Sequence, residues 1–196
     1  MKNKEIIVAT SNPHKMDEYT LMLEPLGYRV YSLRDLNIEL DVEETGSTFE
    51  ENSLIKARYI ANLLPDKIVI SDDSGLEIKA LNGFPGIYSA RFMEGSSYSD
   101  KCKEIIKRLK NYDDKTANFT TVISLVNYSE KEYTFEGKVF GRIVETSHGT
   151  NGFGYDPIFY SNELKKTFGE STSKEKSSVS HRGRALRKLI DFLESN

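Results

Sequence analysis

No tryptophan occurs in this chain, and cysteine occurs once, at Cys102. A lone cysteine excludes an intramolecular disulfide and a zinc site built from several thiolates. Its apolar helical phase with Ile105, Ile106 and Leu109 reads as a small buried hydrophobe. Histidine is scarce too, and His14 and His148 have no third ligand at metal-binding spacing, which argues against a zinc centre. No apolar run reaches membrane-spanning length, and the opening MKNKEIIVAT is too short in its apolar part for a signal peptide. Neither sign of charge dominates: 27 Lys and Arg against 30 Asp and Glu leave a formal net charge of -3, without the basic excess of a nucleic-acid-binding face. These absences point to a cytoplasmic protein with no membrane and no nucleic-acid partner. At 196 residues the chain is long enough to bury a core without staples, as a single domain or one domain with two closely joined lobes.

What is present alternates between strand and helix patterns. EIIVAT at 5–10 reads as a buried strand. Asn12 can cap the next helix, with Pro13 in its first turn, and Met16, Tyr19, Leu23 and Leu26 form its apolar stripe up to Gly27. A short strand around Val30 leads into a polar loop. Thr48 and Glu51 predict a capping box for a second helix through Leu63, with Phe49, Ile55, Tyr59 and Leu63 facing inward. KIVIS at 67–71 predicts a strand ending in Asp72 and Asp73. A helix over about 99–111, two long strands joined around Ser129–Lys131, and a last helix from about Arg182 to Leu193 complete the order. Alternating elements followed by a hairpin argue for an α/β fold, a mixed sheet with helices packed on it.

Five polar clusters fall at strand ends and loops, where such folds bind ligands. In TSNPHK, a loop opening a helix presents backbone N–H groups to an anion, with Lys15 as a mobile cation; it lacks the glycines and spacing of a Walker A loop, and a simple Thr/Asn cap is the structural alternative. Glu44, Asp72 and Asp73 supply hard oxygen ligands of the kind that suit Mg²⁺, or else mere turn solvation. Consecutive acids on extended backbone face opposite ways, so at most one looks directly at a ligand. Lys56 on the second helix reads by itself as a surface lysine. In GFGYDP, glycines leave room for Phe153 to stack on a planar base, and Asp156 is restricted by Pro157; alternatively the aromatics plug the core. In KSSVSHRGRA, Lys176, His181 and Arg182 offer donors to a base carbonyl or phosphate, whereas a Ser180 cap and a surface Arg182 are the plainer reading.

Taken together, TSNPHK, EETGSTFEENSLIKAR, SDDSGLEIKALNGFPGIYSAR, GTNGFGYDPIF and KSSVSHRGRAL resemble, in order and over nearly the whole chain, the HAM1/RdgB-like family of non-canonical purine nucleoside triphosphate pyrophosphatases, or inosine triphosphatases. The resemblance implies an elongated α/β structure with a mixed central sheet, flanking helices and two lobes around a deep cleft, usually as a homodimer. It implies a triphosphate-binding loop of Thr10, Ser11, Asn12, Pro13, His14 and Lys15, where Ser11 stands in place of the glycine of many members. It implies magnesium-associated acids at Glu44 and Asp73, with Asp73 as catalytic base and Asp72 supporting. Lys56 and Ser74 match substrate contacts; Phe153, Gly154, Tyr155 and Asp156, completed by Lys176, His181 and Arg182, match the base site.

The implied reaction is Mg²⁺-dependent hydrolysis of ITP, dITP or XTP to the monophosphate and pyrophosphate, which cleanses the nucleotide pool. Donors from the His181–Arg182 region would accept a 6-keto purine and leave adenine mismatched. Two alternatives stay open at this point: a Maf-like pyrophosphatase, whose opening loop typically has arginine at the Lys15 position and which lacks the SHR ending, and a non-catalytic nucleotide sensor.

Overall fold

The structure, a computed structural model, describes residues 4–195. One six-stranded sheet has the order β2-β1-β3-β4-β5-β6, with β1 Glu5–Val8, β2 Arg29–Ser32, β3 Ile68–Ile78, β4 Thr116–Val126, β5 Tyr133–Ile143 and β6 Phe159–Ser161. β1 pairs in parallel with β2 (Ile7 opposite Tyr31) and with β3 (Ile7 opposite Val69), while β6 runs antiparallel to β5. The sheet is therefore mixed, and the fold is α/β, as expected. The helices are α1 Pro13–Leu23, α2 Phe49–Leu63, α3 Tyr98–Arg108, α4 Ser173–Val179 and α5 His181–Ser195. No helix among the described residues is long and apolar enough to cross a membrane.

The chain divides into two compact units. Unit 1 takes the residues up to Asp73, Thr121–Gly137 and those from Ala185 onward; unit 2 takes Ser74–Thr120 and Lys138–Arg184. In unit 1 the period-two alternation of strand side chains explains the layering. Ile6, Val8, Ile70, Ile123 and Leu125 lie in one cluster with Tyr19 and Leu23 of α1 and Leu186, Leu189 and Leu193 of α5. Their neighbours Ile7, Ala9, Val69 and Val126 lie in another with Ala57, Ile60 and Ala61 of α2. Each large apolar side chain so buried contributes about 1.5–3 kcal/mol. Unit 2 has its own core, in which Cys102 and Ile105 of α3 and Leu109 just after it meet Leu76, Ile78, Phe119, Val139, Ile143, Phe159 and Phe168. The buried-hydrophobe reading of Cys102 holds: burial pushes its thiol up to about 12.

Several expectations need correction. β3 does not end at Asp72 and Asp73 but runs through both to Ile78. On α2 the inner face is Phe49, Asn52, Ser53, Lys56, Ala57, Ile60 and Ala61, whereas Leu63 is exposed and Ile55 and Tyr59 are half-buried. Apolar periodicity selected Ile55, Tyr59 and Leu63 because three of the seven inward residues, Asn52, Ser53 and Lys56, are polar. Thr48 caps α2 by accepting from Glu51 N–H at 3.1 Å, and the Glu51 carboxylate accepts chiefly from Ser47, one residue before the cap, at 2.6 Å from its N–H. Leu26 lies beyond α1 in a short 3-10 turn and is exposed. β6 and α4, three and seven residues long, were not anticipated, although Thr172 and Glu175 form a capping box that opens α4.

Candidate active site

In unit 1, β1 delivers the chain to α1 through a loop stiffened by its own side chains. Thr10 Oγ1 accepts from Asn12 N–H at 3.2 Å, and Asn12 Oδ1 accepts from His14 N–H at 3.0 Å. Asn12 is thus the expected cap, and Pro13 occupies a first-turn position where its missing N–H costs nothing. Ser11 and His14 are exposed at the helix mouth, where backbone N–H groups and the dipole favour an anion. Two residues into the helix, Lys15 turns back to Asp72, with 3.0 Å between Nζ and Oδ2.

Extended backbone sends Asp72 and Asp73 to opposite sides of β3, and each finds a different cation. Thr121 Oγ1 on β4 lies 3.3 Å from Asp72 Oδ2, a second contact beside Lys15. Asp73 faces α2, where Lys56 Nζ lies 3.5 Å from its Oδ1 and 2.5 Å from Glu44 Oε1. Asn52 Nδ2 donates to Asp73 Oδ2 at 3.3 Å. Lys56 is therefore no surface lysine: it is buried, 7% exposed, between two carboxylates. Burial opposes its charge, but Asp73, Glu44 and Asp72 outweigh it and hold its pKa above that of an ordinary lysine. For Asp73 burial is the largest influence and raises the pKa above 3.8, against the pull of Lys56 and Lys15. A desolvated acid so poised is suited to taking up a proton. Neither Asn52 nor Thr121 stood out in the sequence; the available signal for Asn52 was its place one helical turn before Lys56.

Unit 2 gathers the remaining candidates. The 152–157 segment folds around Asp156, whose Oδ2 accepts from Phe153 N–H at 2.8 Å and from Lys176 Nζ at 2.8 Å. Gly152 has φ +72°, and a Cβ there would overlap that same carboxylate oxygen. Lys176, buried on α4, also lies 4.5 Å from the centre of the half-buried Phe153 ring. Arg182 is only 1% exposed, which overturns the surface reading; its guanidinium donates to Ser74 Oγ at 2.9 Å. His181 stacks on Phe119 at 4.8 Å between ring centres, and Ser180 Oγ accepts from Gly183 N–H at 3.0 Å, capping α5. Tyr155 supports this segment from its buried side. Its ring is buried, its hydroxyl donates to Ser89 O at 2.8 Å, and burial raises its pKa, so the side chain anchors the loop from below. The Gly154 carbonyl lies 3.7 Å from Cys102 Sγ.

These two sets of groups sit on a chain that matches known proteins throughout. A sequence model of the Ham1 family matches residues 6–192, including the SHR ending that a Maf-like protein lacks. A dITP/XTP pyrophosphatase of Thermoanaerobacter pseudethanolicus is 47% identical over 192 residues, covering 96% of each chain. The solved structure of the Staphylococcus aureus Ham1 protein superposes with a TM-score of 0.87 at 42% identity, over 97% of this chain and 98% of that one. A HAM1 protein from Coxiella burnetii gives 0.88 at 35% identity, over 98% and 99%. With likeness of this extent over nearly the whole chain, the chain belongs to the Ham1 family.

Proposed function

We propose that this protein hydrolyses non-canonical purine nucleoside triphosphates, dITP, XTP and ITP, to the nucleoside monophosphate and pyrophosphate, and so removes deaminated purines from the nucleotide pool. The observation that carries the reading is the Asp72–Asp73 pair: consecutive buried acids, each turned to a different lysine, in the same unit as a capped helix mouth. Relatives bearing the name dITP/XTP pyrophosphatase support the substrate class.

The helix mouth at Thr10–Lys15 takes the phosphates, and the Phe153–Asp156 segment with Lys176, His181 and Arg182 takes the base. Phe153 offers its ring to the purine, and the His181–Arg182 region donates to the 6-keto oxygen. Guanine also carries a 6-keto group, so a reader of this position alone rejects adenine better than guanine. Asp73 orients the attacking water and accepts its proton as the oxygen bonds to the α-phosphorus and pyrophosphate departs. Lys15 and Lys56 offset the negative charge that develops on the phosphates.

Mg²⁺ is the proposed metal. Glu44 and Asp73 already converge on one cation, the Lys56 ammonium, so the donor chemistry fits. Among the described residues no group of three or more His, Cys, Asp or Glu forms a dedicated cage. That too suits Mg²⁺, which needs few carboxylates and completes its shell with water and phosphate oxygens. Bound between Glu44 and Asp73, it would supply positive charge to the phosphate oxygens. The proposal extends to a cytoplasmic homodimer without nucleic-acid partners, consistent with the charge of -3; light scattering that shows only a single-chain mass removes the dimer.

The test incubates purified protein and Mg²⁺ with ITP, XTP, dITP, ATP, GTP and dTTP and identifies products by mass. Monophosphate and pyrophosphate from the first three, with ATP the poorest purine, is the expected result. Orthophosphate release, a pyrimidine preference, or tight binding without product overturns it, the last in favour of a sensor.

A further inference from the structure

We infer that Asn52 is a positioning residue for this reaction: its one buried amide sets the spacing between the Asp73 carboxylate and the loop that carries Glu44. The inference rests on the functional reading above and deepens it.

Asn52 is fully buried in α2, on the inner face and one turn before Lys56. Asparagine favours helices poorly, because its side chain competes for backbone hydrogen bonds, and burying a primary amide is costly unless both of its ends are bonded. A residue that opposes both propensity and burial marks a place where local rules yield to function. Here both ends are used. Nδ2 donates to Asp73 Oδ2 at 3.3 Å, and Oδ1 accepts from Gly46 N–H at 2.8 Å, two residues after Glu44.

Gly46 points the same way from the loop side. A Cβ there would stand 2.7 Å from Asn52 Oδ1, 2.9 Å from Asn52 N and 2.6 Å from Glu51 Cβ, so only glycine lets the loop approach this closely. Glu44 and Asp73 are consequently linked twice, once through Lys56 and once through Asn52. Lysine reaches on a long flexible stem and follows its partners. The short amide, fixed on a helix and bonded at both ends, sets the geometry. It also engages Asp73 Oδ2, leaving Oδ1 as the oxygen toward Lys56. Because other residues hold the base and the phosphates, losing the amide should slow the chemical step and spare ground-state affinity.

The experiment compares full-length wild type with Asn52→Leu, similar in size without the hydrogen bonds, with Asn52→Asp, which keeps an acceptor for Gly46 but loses the donor to Asp73, and with Gly46→Ala. It measures kcat and KM for dITP with Mg²⁺, the thermal midpoint, and amide hydrogen exchange over residues 44–51 without metal or nucleotide. In all three variants kcat should fall on the order of 10²-fold while KM stays within about threefold. Exchange at Gly46 should speed up in Asn52→Leu and Gly46→Ala and stay slow in Asn52→Asp. A folded Asn52→Leu whose kcat is within about threefold of wild type overturns the inference. So does unchanged exchange at Gly46 in Asn52→Leu and Gly46→Ala. If Asn52→Leu does not fold, Asn52→Asp and Gly46→Ala decide on the same criteria. A wild type inert toward dITP would sink the functional reading alone, and the exchange result would still support or overturn the role of Asn52 in holding the loop.

Discussion

The two units carry their charges differently. In unit 1 the acids Glu44, Asp72 and Asp73 share two lysines, and Lys56 divides itself between Glu44 and Asp73. Lys56 belongs to neither carboxylate outright, so an arriving phosphate or metal can redistribute its contacts. In unit 2 Asp156 and Lys176 pair through one carboxylate oxygen, both are almost wholly buried, and that oxygen also holds the Phe153 amide. This pair is built into the loop, beneath a half-buried aromatic ring. The contrast separates chemistry from recognition. A shared charge network suits phosphates whose charge changes during reaction, whereas a closed pair suits a rigid platform for a neutral base.

The largest effect should come from the shared network. Asp73→Asn should lower kcat by about 10³-fold, since general-base contributions run to that size. Stability should move the other way. The folded pKa of Asp73 is raised, chiefly by burial, so between 3.8 and that folded value the native state holds more protons than the unfolded one. Stability from this group is therefore present at low pH and lost as pH rises through the folded pKa. Once ionised, the buried Asp73 is a net burden, and Asp73→Asn should melt no lower than wild type above that folded pKa. A carboxylate NMR titration of the Mg²⁺-free protein checks the sign, with a midpoint above 3.8 expected. Lys56→Met should move that midpoint higher still, because Lys56 pulls it down.

The closed pair should fail by unfolding instead. Lys176→Met removes the ammonium 2.8 Å from the buried Asp156 carboxylate, and breaking a buried pair costs about 3–5 kcal/mol. For a chain of this length that lowers Tm by roughly 6–20 °C in a thermal melt. If Lys176→Met instead keeps its Tm and loses only turnover, the contrast between the units collapses. Phe153→Leu should act more gently, raising KM for dITP several-fold with kcat kept, because a lost base–aromatic contact is worth about 1–3 kcal/mol. An equal fall in kcat would place the ring in the chemistry.

How much of this was legible in the sequence followed the same division. The α1 cap at Asn12 was readable because capping chemistry is local, and opposite-facing acids were readable because strand geometry is. The inner face of α2 was not. Asn52, Ser53 and Lys56 point inward to meet Ser71 and Asp73, contacts some twenty residues away in sequence, so apolar periodicity selected Ile55, Tyr59 and Leu63 instead. The burial of Arg182 and Tyr155 was hidden for a related reason: a guanidinium on Ser74 and a tyrosine hydroxyl on Ser89 O depend on distant partners that no spacing rule reveals. Long-range polar satisfaction is where pattern reading stopped.

The smallest effect sharpens the claim that unit 2 holds its loop by closed contacts. Cys102 lies under Gly154, and burial pushes its thiol up to about 12. At neutral pH almost none is thiolate, so a haloacetamide should label the native protein very slowly and the urea-unfolded protein fast. Cys102→Ala removes one sulfur atom from the core and should cost about 1 kcal/mol. The loop above it keeps the Tyr155–Ser89 and Asp156–Phe153 hydrogen bonds, so KM for dITP should stay at the wild-type value. A clear rise in KM would mean that the thiol itself shapes the base platform, and the anchoring assigned to Tyr155 and Asp156 would be insufficient.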